Sequence, residues 1–213
     1  MGGPVKRRTY DASRRQAQAQ QTRSAIVGSA RDLFIANGYG RTTVADIARA
    51  AGVSVETIYA AFGNKATLLH KAWDITVGGD EEEIVFHERP EVMAIRNEPD
   101  LTKRLMLHAA FSTQTAQRIA PFQLMVQSAA GADPAAAAML AEMGRQRLAG
   151  MTVMAAEVAK TGQLAVPEEE CRDILWSMTD GTLWQRLVNE RHWTNDRFAH
   201  WLGRTWVHQL VGR

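Results

Sequence analysis

The sequence of 213 residues contains little of several features that define common protein classes. Its single cysteine, Cys171, excludes a disulfide-stapled scaffold and argues against a cysteine-based zinc site. No apolar stretch approaches the roughly 18 residues of a membrane span, and no apolar segment follows the paired arginines near the N-terminus, as it would in an export signal. Six prolines and no runs of β-branched residues leave a composition that favours helices. We therefore expect a soluble, cytoplasmic, all-α protein without a membrane partner.

Positive charge is concentrated in the first third of the chain. Residues 1–77 carry eleven lysines and arginines and five acids, a net charge of +6, whereas the remainder carries fourteen bases and eighteen acids, a net charge of −4. A basic segment joined to an acidic body suits an anionic polymer as partner; a solvated basic tail is the alternative. Residues 1–21 are polar and have no hydrophobic period, which predicts a flexible basic arm.

Short helical patterns separated by helix-ending residues begin at residue 22. Thr42 or Thr43 is a candidate N-cap for a helix of about two turns that Gly52 ends. Ser54 is the candidate N-cap of the next helix, in which Ile58 faces inward. Two helices of about eight residues joined by so tight a turn indicate a helix-turn-helix. This packing leaves outside a set of side chains short enough to enter a major groove: Ser54, Val55, Glu56, Thr57, Tyr59 and Ala60.

Seven short motifs follow one another in this region: Ala30-Arg31-Asp32-Leu33-Phe34, Gly38-Tyr39, Thr42-Thr43-Val44-Ala45-Asp46-Ile47-Ala48, Ala51-Gly52-Val53-Ser54, Thr57-Ile58-Tyr59, Phe62-Gly63-Asn64-Lys65 and Leu68-Leu69. Together, over roughly residues 25–73, they resemble the N-terminal signature of the tetracycline-repressor (TetR) family. The resemblance implies a homodimeric, ligand-responsive transcriptional regulator, usually a repressor. It implies that the helix from about residue 54 to 62 is the recognition helix. It further implies phosphate contacts at Thr42, Thr43, Tyr59 and Lys65.

Three regions are therefore expected. Residues 1–21 would be the flexible basic arm, residues 22–78 a three-helix helix-turn-helix DNA-binding domain, and residues 79–213 a helical ligand-binding and dimerisation domain. One short recognition helix reads few base pairs, so two subunits would bind half-sites of a palindromic operator in double-stranded DNA, about 34 Å apart.

The expected recognition helix departs from the family pattern because it contains no lysine or arginine. It therefore lacks the usual arginine contact to guanine. Val55 and Thr57 are instead placed to meet thymine methyl groups. Glu56 either accepts a hydrogen bond from cytosine or only stays clear of phosphate.

Phosphate contacts must then come from elsewhere, and Arg41, Arg49, Lys65 and the arm are the candidates. Lys65 opens the fourth helix, where a cation opposes the helix dipole unless an anion lies nearby. A solvated surface lysine is the alternative. The arm is long enough to cross to a minor groove, or it is a disordered solubilising tail. Its basic residues are Lys6, Arg7, Arg8, Arg14 and Arg15.

The C-terminal region is predicted from its caps and apolar spacing. A helix from about residue 100 to 118 should be interrupted by Pro121. Asp133-Pro134 marks the start of a long helix that reaches Lys160. Further helices are expected over residues 168–190 and from Thr194 onward. Because both are apolar on wide faces, we expect these last two helices to form a four-helix homodimer interface; packing within one subunit is the alternative.

The effector site is less well defined by the sequence. Methionines on helices suit an adaptable apolar pocket, although such residues are usually core. Asp180 lies between Trp176 and Trp184 on the expected helix, and a carboxylate flanked by aromatic rings suits a cation. Alternatively, Asp180 bonds a neighbouring helix or faces solvent. We therefore expect an apolar or cationic small molecule near His108, Phe111, Met125, Met154, Trp176, Asp180 and Trp184.

Two other functional classes were weighed against this hypothesis. The sequence contains no His-Glu-x-x-His, paired carboxylates, Gly-rich phosphate loop or nucleophile elbow, so we expect no catalytic residues, no metal site and no cofactor. A small-molecule-binding helical enzyme is thus the weaker alternative. A non-regulatory DNA-architectural protein is the second, but it gives no evident use to a large acidic body with several tryptophans.

Overall fold

The computed structural model describes residues 5–78 and 89–212. The chain divides into two compact units, Met1–Ile75 and Thr76–Arg213, close to the boundary expected after residue 78. Apart from one isolated bridge between Leu164 and Val211, the described residues form helices and connecting turns. The all-α fold expected from the composition is therefore confirmed. None of the helices in these ranges has both the length and the apolar character needed to cross a bilayer.

Unit 1 consists, in its described part, of α1 (Val5–Asn37), α2 (Val44–Ala51), α3 (Val55–Phe62) and most of α4 (Lys65–Gly78). Helices α2 and α3 are two-turn helices joined by a short turn, as the sequence predicts. Their inward faces meet those of α1 and α4 in one core, whose fully buried members include Ile26, Ala30, Phe34, Ile47, Ile58, Leu68 and Leu69.

The flexible arm expected for residues 1–21 is helical from Val5 onward, because α1 begins there. Lysine, arginine, glutamine and alanine are good helix formers, and extending an existing helix costs less than nucleating a new one. The packed part of α1, from Ile26 to Phe34, supplies that nucleus. Polarity without a hydrophobic period therefore indicated exposure here rather than loss of helix. Of the arm's basic side chains, Lys6, Arg7, Arg8 and Arg15 lie outside the described set.

Unit 2 contains α5 (Pro90–Asn97), α6 (Leu101–Ala130), α7 (Pro134–Ala159), α8 (Glu168–Met178), α9 (Thr182–Trp184) with a π-helical segment (Gln185–Glu190) after it, and α10 (Asn195–Leu210). Two expected helix starts are confirmed. Asp133 accepts hydrogen bonds from the backbone of α7 through its Oδ1, and Thr194 accepts one from the N–H of Arg197. Helix α5 was not predicted.

Helix α6 runs through Pro121, where the sequence predicted an interruption. Proline inside a helix removes one backbone hydrogen bond and costs roughly 3 kcal/mol. The nearby residues Ala120, Phe122 and Val126 are buried, so the helix is covered on more than one side around Pro121. Burial of these apolar side chains offsets the cost, because each large side chain contributes about 1.5–3 kcal/mol.

The single helix expected over residues 168–190 is divided at Asp180-Gly181. Gly181 has φ 79°, in the left-handed region. The Asp180 carboxylate accepts the Thr182 backbone N–H at 2.9 Å and the Thr182 hydroxyl at 3.0 Å, which holds the turn before α9, whose N-cap is Gly181. The sequence pattern had suggested that Trp176 and Asp180 share one face of a continuous helix. Because the helix is divided, they do not.

The core of unit 2 lies between α10 and the helices α6 and α8. Phe198, Leu202, Trp206 and Leu210 of α10 are almost completely buried within the chain. The last two helices were expected to form the dimer interface, and these apolar side chains of α10 are already covered within one subunit. Trp193, Trp201 and Val207 are half-buried and remain on the outer side of this region.

Candidate nucleic-acid interface

Caps at both helices fix the helix-turn-helix of unit 1. Thr43 is the N-cap of α2: its hydroxyl oxygen accepts the Asp46 N–H, and the Asp46 carboxylate accepts the Thr43 hydroxyl at 2.6 Å. The pKa of Asp46 is held below its ordinary value by these Thr43 donors. Gly52 ends α2 with φ 66°, and Ser54 caps α3 by accepting the Thr57 N–H at 3.2 Å. The position of α3 therefore follows from hydrogen bonds local in sequence.

The outer face of α3 is formed by Ser54, Val55, Glu56, Thr57, Tyr59 and Ala60. Val55 is half-buried and the others are exposed, whereas Ile58 and Phe62 point into the core. The expected orientation of the helix is confirmed. The pKa of Glu56 is lowered by its own backbone N–H and by the Ser54 side chain, which favours its anionic form. Contact of these residues with DNA stays a prediction.

Arg41 and Arg49 lie at the surface on either side of Thr43. The Arg41 Nε donates to the Asn37 carbonyl at the end of α1, at 2.7 Å. Arg49 pairs with Asp46 at 3.2 Å while 78% of its side chain stays exposed. Both guanidinium groups keep further N–H donors for phosphate oxygens.

Thr42 corrects one sequence-based assignment. Its side chain is only 1% exposed, and its hydroxyl donates to the carbonyls of Gly38 and Leu33 at 2.9 and 3.1 Å. It fastens the turn before α2 to the end of α1 and is not presented to a phosphate. The sequence could not separate Thr42 from Thr43, because the two neighbouring hydroxyls differ only in which one the tertiary packing covers.

Lys65 is half-buried rather than free at the surface. Its Nζ donates to the carbonyls of Tyr39 and Thr42 at 2.9 and 3.2 Å and lies 4.1 Å from the centroid of the Tyr39 ring. Two carbonyl dipoles and an aromatic face thus stabilise the cation at the start of α4. The sequence had required an anion there, and these neutral groups meet the same need.

Arg23 is a structural contact that the sequence analysis missed. Its NH1 donates to the Ala61 carbonyl at 3.2 Å, and its guanidinium carbon lies 4.8 Å from the centroid of the Phe62 ring. Arg23 therefore joins α1 to the last turn of α3. An arginine at the C-terminal end of a helix also complements its dipole.

Several expected effector residues lie in the core of unit 2. His108 is 6% exposed and its ring centroid lies 5.2 Å from that of Trp206. Burial lowers the pKa of His108 to about 4, so the imidazole is neutral near pH 7. Met125 is also buried and Phe111 is half-buried. Trp184 is buried, and its Nε1 donates to the Asn195 side chain at 2.8 Å, a contact within the fold.

The remaining expected residues surround an arginine that the sequence analysis passed over. Met154 and Trp176 are half-buried. The Arg147 guanidinium carbon lies 4.9 Å from the centroid of the Trp176 ring. Burial lowers the pKa of Arg147, and the charge of Asp180 acts in the opposite direction. Because both Asp180 carboxylate oxygens accept hydrogen bonds from Thr182, the carboxylate is not a free receptor for a cation. A positive charge in a run of methionines was the signal that would have singled out Arg147.

Within residues 5–78 and 89–212, no group of three or more His, Cys, Asp and Glu side chains has the arrangement to hold a metal ion. Cys171 is buried, and burial together with Glu168 raises the pKa of its thiol to about 11. A thiol with that pKa is almost entirely protonated near pH 7 and is a poor nucleophile.

Two capped short helices with one exposed face define unit 1 as a helix-turn-helix domain, the class of fold that reads DNA through its second helix. Residues 26–72 match the family described as "Bacterial regulatory proteins, tetR family". The N-terminal unit of the chain therefore matches the tetR family, and the match does not extend beyond this unit. It is 44% identical over 61 residues to the HTH-type transcriptional regulator TtgR of Pseudomonas putida. That match covers 29% of each chain, so the segment compared is less than a third of this relative's length.

Solved structures extend the likeness to the whole fold. The transcriptional regulator FadR from Bacillus subtilis, in complex with stearoyl-CoA, has a TM-score of 0.67 at 20% identity, over 87% of this chain and 98% of that one. A putative transcriptional regulator from Saccharomonospora viridis, in complex with choline, has a TM-score of 0.66 at 19% identity, over 91% of this chain and all of the other. At such identities the likeness concerns the fold.

Proposed function

We propose that this chain is a ligand-responsive, sequence-specific DNA-binding transcriptional regulator, a repressor that a small molecule releases from its operator. The observation that carries the proposal is the exposed face of α3, held by its caps in a unit that matches the tetR family. The naming of TtgR as a transcriptional regulator supports it. We expect the protein to act in the cytoplasm, on double-stranded DNA, without a cofactor and without enzymatic activity.

Contacts with DNA are assigned to the surface residues of the helix-turn-helix. Phosphates are contacted by Arg41, Thr43 and Tyr59, and by the N-terminus of α3. Base edges are read by Val55, Glu56 and Thr57, with Ser54 at the start of the helix. Thr42 and Lys65, which the family pattern also suggested, support this surface from inside the domain.

A homodimer is proposed through α8 and α10, on a palindromic operator. One α3 covers few base pairs, and a second copy doubles the site. Half-buried Trp193, Trp201 and Val207 supply an apolar strip that one chain leaves partly open. Sedimentation velocity should give twice the mass of the 23.6 kDa chain.

Unit 2 is proposed to take the effector. The neighbours FadR and the Saccharomonospora viridis regulator were solved with stearoyl-CoA and choline, ligands of different chemistry. In this chain the site is assigned to the interior faces of α6, α7 and α8, near His108, Phe111, Met154 and Trp176. The core residues Met125 and Trp184 form its walls.

The function is tested by fluorescence anisotropy with two DNA duplexes. One is taken from the region upstream of the gene that encodes this chain, and the other is a shuffled duplex of equal base composition. We expect tight binding to the first, and roughly tenfold weaker binding by Tyr59→Ala. Leu148→Ala, an exposed apolar residue of unit 2, is the control and should bind normally. Equal affinity for both duplexes would favour the architectural alternative, and no binding to either would refute the proposal.

A further inference from the structure

Arg147 occupies a position on α7 that the helix otherwise gives to methionine. Met139, Met143, Arg147 and Met151 follow one another at intervals of four residues, which places them on one side of the helix. Met139 and Met143 are buried, and Met151 packs against the core of unit 2. Charged residues are rarely placed on such an apolar stripe, because removing the charge from water is costly.

The guanidinium group of Arg147 has little compensation in the fold. Its Nε is buried without a hydrogen-bond partner, and the neighbouring Trp176 has a buried Nε1 in the same condition. Among the described residues, no carboxylate forms an ion pair with Arg147. Stacking on the Trp176 ring leaves the N–H groups at the edge of the guanidinium plane available. Buried polar groups are nearly always bonded in folded proteins, so two adjacent unpartnered donors call for an acceptor.

Asp180 does not fill that need. Both of its carboxylate oxygens accept hydrogen bonds from Thr182, across the turn that precedes α9. The charge of Asp180 raises the pKa of Arg147 and so favours the charged guanidinium, but Asp180 forms no hydrogen bond with it. The Asp180 carboxylate, which the sequence assigned to a cationic effector, is thus already hydrogen-bonded. The groups beside it that lack partners are N–H donors, on Arg147 and Trp176.

We propose that the effector of unit 2 is an apolar molecule with an anionic head group, and that Arg147 and Trp176 bind this head group. Arginine binds a carboxylate or phosphate through two parallel N–H bonds, and the indole N–H adds a third donor. Met151, half-buried one turn beyond Arg147, provides an adaptable surface for the apolar body. This inference rests on the proposed function, because it specifies the chemistry of the effector in the same unit.

The experiment uses the purified full chain and three probe series that differ only in the head group. Carboxylates, alcohols and trimethylammonium compounds with eight- and twelve-carbon alkyl chains are titrated, with tryptophan fluorescence and calorimetry as readouts. We expect the carboxylates to bind most tightly. Arg147→Met, which continues the methionine stripe, should weaken carboxylate binding roughly 10- to 100-fold and leave alcohol binding unchanged.

Arg145→Met is the matched control, because Arg145 lies on the same helix, is exposed and pairs with Glu142. It should bind the carboxylates normally. If Arg147→Met does not fold, as judged by thermal melting, Arg147→Lys is used instead. This variant keeps the charge but loses the paired geometry, so carboxylate binding should be intermediate.

Three results would overturn the inference: tighter binding of the ammonium series, no preference among head groups, or normal carboxylate binding by Arg147→Met. If one of these results is obtained and the probes still bind and release operator DNA, the proposed function stands and only the head-group assignment is wrong. If none of the probes binds or releases DNA, both the assignment and the ligand response are contradicted.

Discussion

Basic residues in unit 1 serve two different purposes. Arg23 and Lys65 donate to backbone carbonyls inside the domain, whereas Arg41 and Arg49 lie at the surface. All four contribute equally to the net charge of +6 counted over residues 1–77. The net charge is unchanged by these bonds, but fewer cationic side chains are available for direct phosphate contacts than the sequence count suggests.

Replacing Lys65 by methionine should destabilise unit 1 without changing the salt dependence of DNA binding. Loss of hydrogen bonds from a charged donor to two carbonyls should lower the free energy of unfolding by about 1–3 kcal/mol. A phosphate contact would instead reduce the log–log salt slope by about 0.9. Urea denaturation and anisotropy at several salt concentrations measure the two effects. Lys71→Met, at an exposed ion pair on α4, is the control; a slope reduced only by Lys65→Met would contradict the assignment.

His108 should make unit 2 less stable in mild acid. Its folded-state pKa is about 4, below the ordinary value of 6.5, so below pH 6.5 the unfolded chain binds more protons. Stability is complete above pH 6.5 and falls until about pH 4. The linkage amounts to about 2 kcal/mol between pH 7 and pH 5. Chemical denaturation at both pH values should show this loss, and His108→Phe should remove it while the exposed His200→Gln retains it.

Helices are ended by local signals in unit 1 and by packing in unit 2. Thr43, Gly52 and Ser54 define α2 and α3 through bonds within a few residues. In unit 2, by contrast, α6 passes through Pro121, and the break after α8 occurs where Gly181 packs on Ala120. The same residue types therefore stop a helix in one context and not in another.

Two glycine substitutions should have opposite effects on stability. Gly181 has φ 79°, so Gly181→Ala should destabilise the protein by about 1 kcal/mol or more. Gly144 lies inside α7 with nothing near its missing side chain, so Gly144→Ala should stabilise by about 0.5–1 kcal/mol. Thermal and urea unfolding of both variants test the conformational argument. A shift in the same direction for both would contradict it.

The basic N-terminal residues that contribute to the charge asymmetry of the chain belong to helix α1. This helix begins at Val5, so the basic N-terminal residues follow a helical path rather than an extended one. A helix is about 10–12 Å wide and a minor groove about 6 Å. We therefore expect phosphate contacts from outside the groove, in place of the groove entry considered for a flexible arm.

Removing residues 1–15 should weaken operator binding and reduce its salt dependence. Each lost phosphate contact lowers the log–log slope by about 0.9. Anisotropy titrations of the full and shortened chains at two or more salt concentrations measure this change. A full-length variant with glutamine at the arm's five basic positions keeps the helix-forming character and separates charge from length. If the shortened chain and the glutamine variant both keep the affinity and salt slope of the full chain, residues 1–15 have no role in binding.

The sequence by itself determined the elements whose signals are local. The turn from α2 to α3, the outward face of α3 and the starts of α7 and α10 each depend on residues within about four positions of one another. Caps and left-handed glycines act at that range, so their effect is visible in the residue order. The family signature lies in this same part of the chain.

Only the tertiary structure decided which polar groups are covered. Thr42 is buried, and Lys65 donates hydrogen bonds to backbone carbonyls, because α1 and the turn before α2 lie against them. Asp180 holds the turn before α9, and the Nε of Arg147 is buried without a partner beside Trp176, where α7 and α8 meet. These outcomes depend on contacts between residues far apart in sequence, and burial decides whether a charge binds a ligand or stabilises the fold.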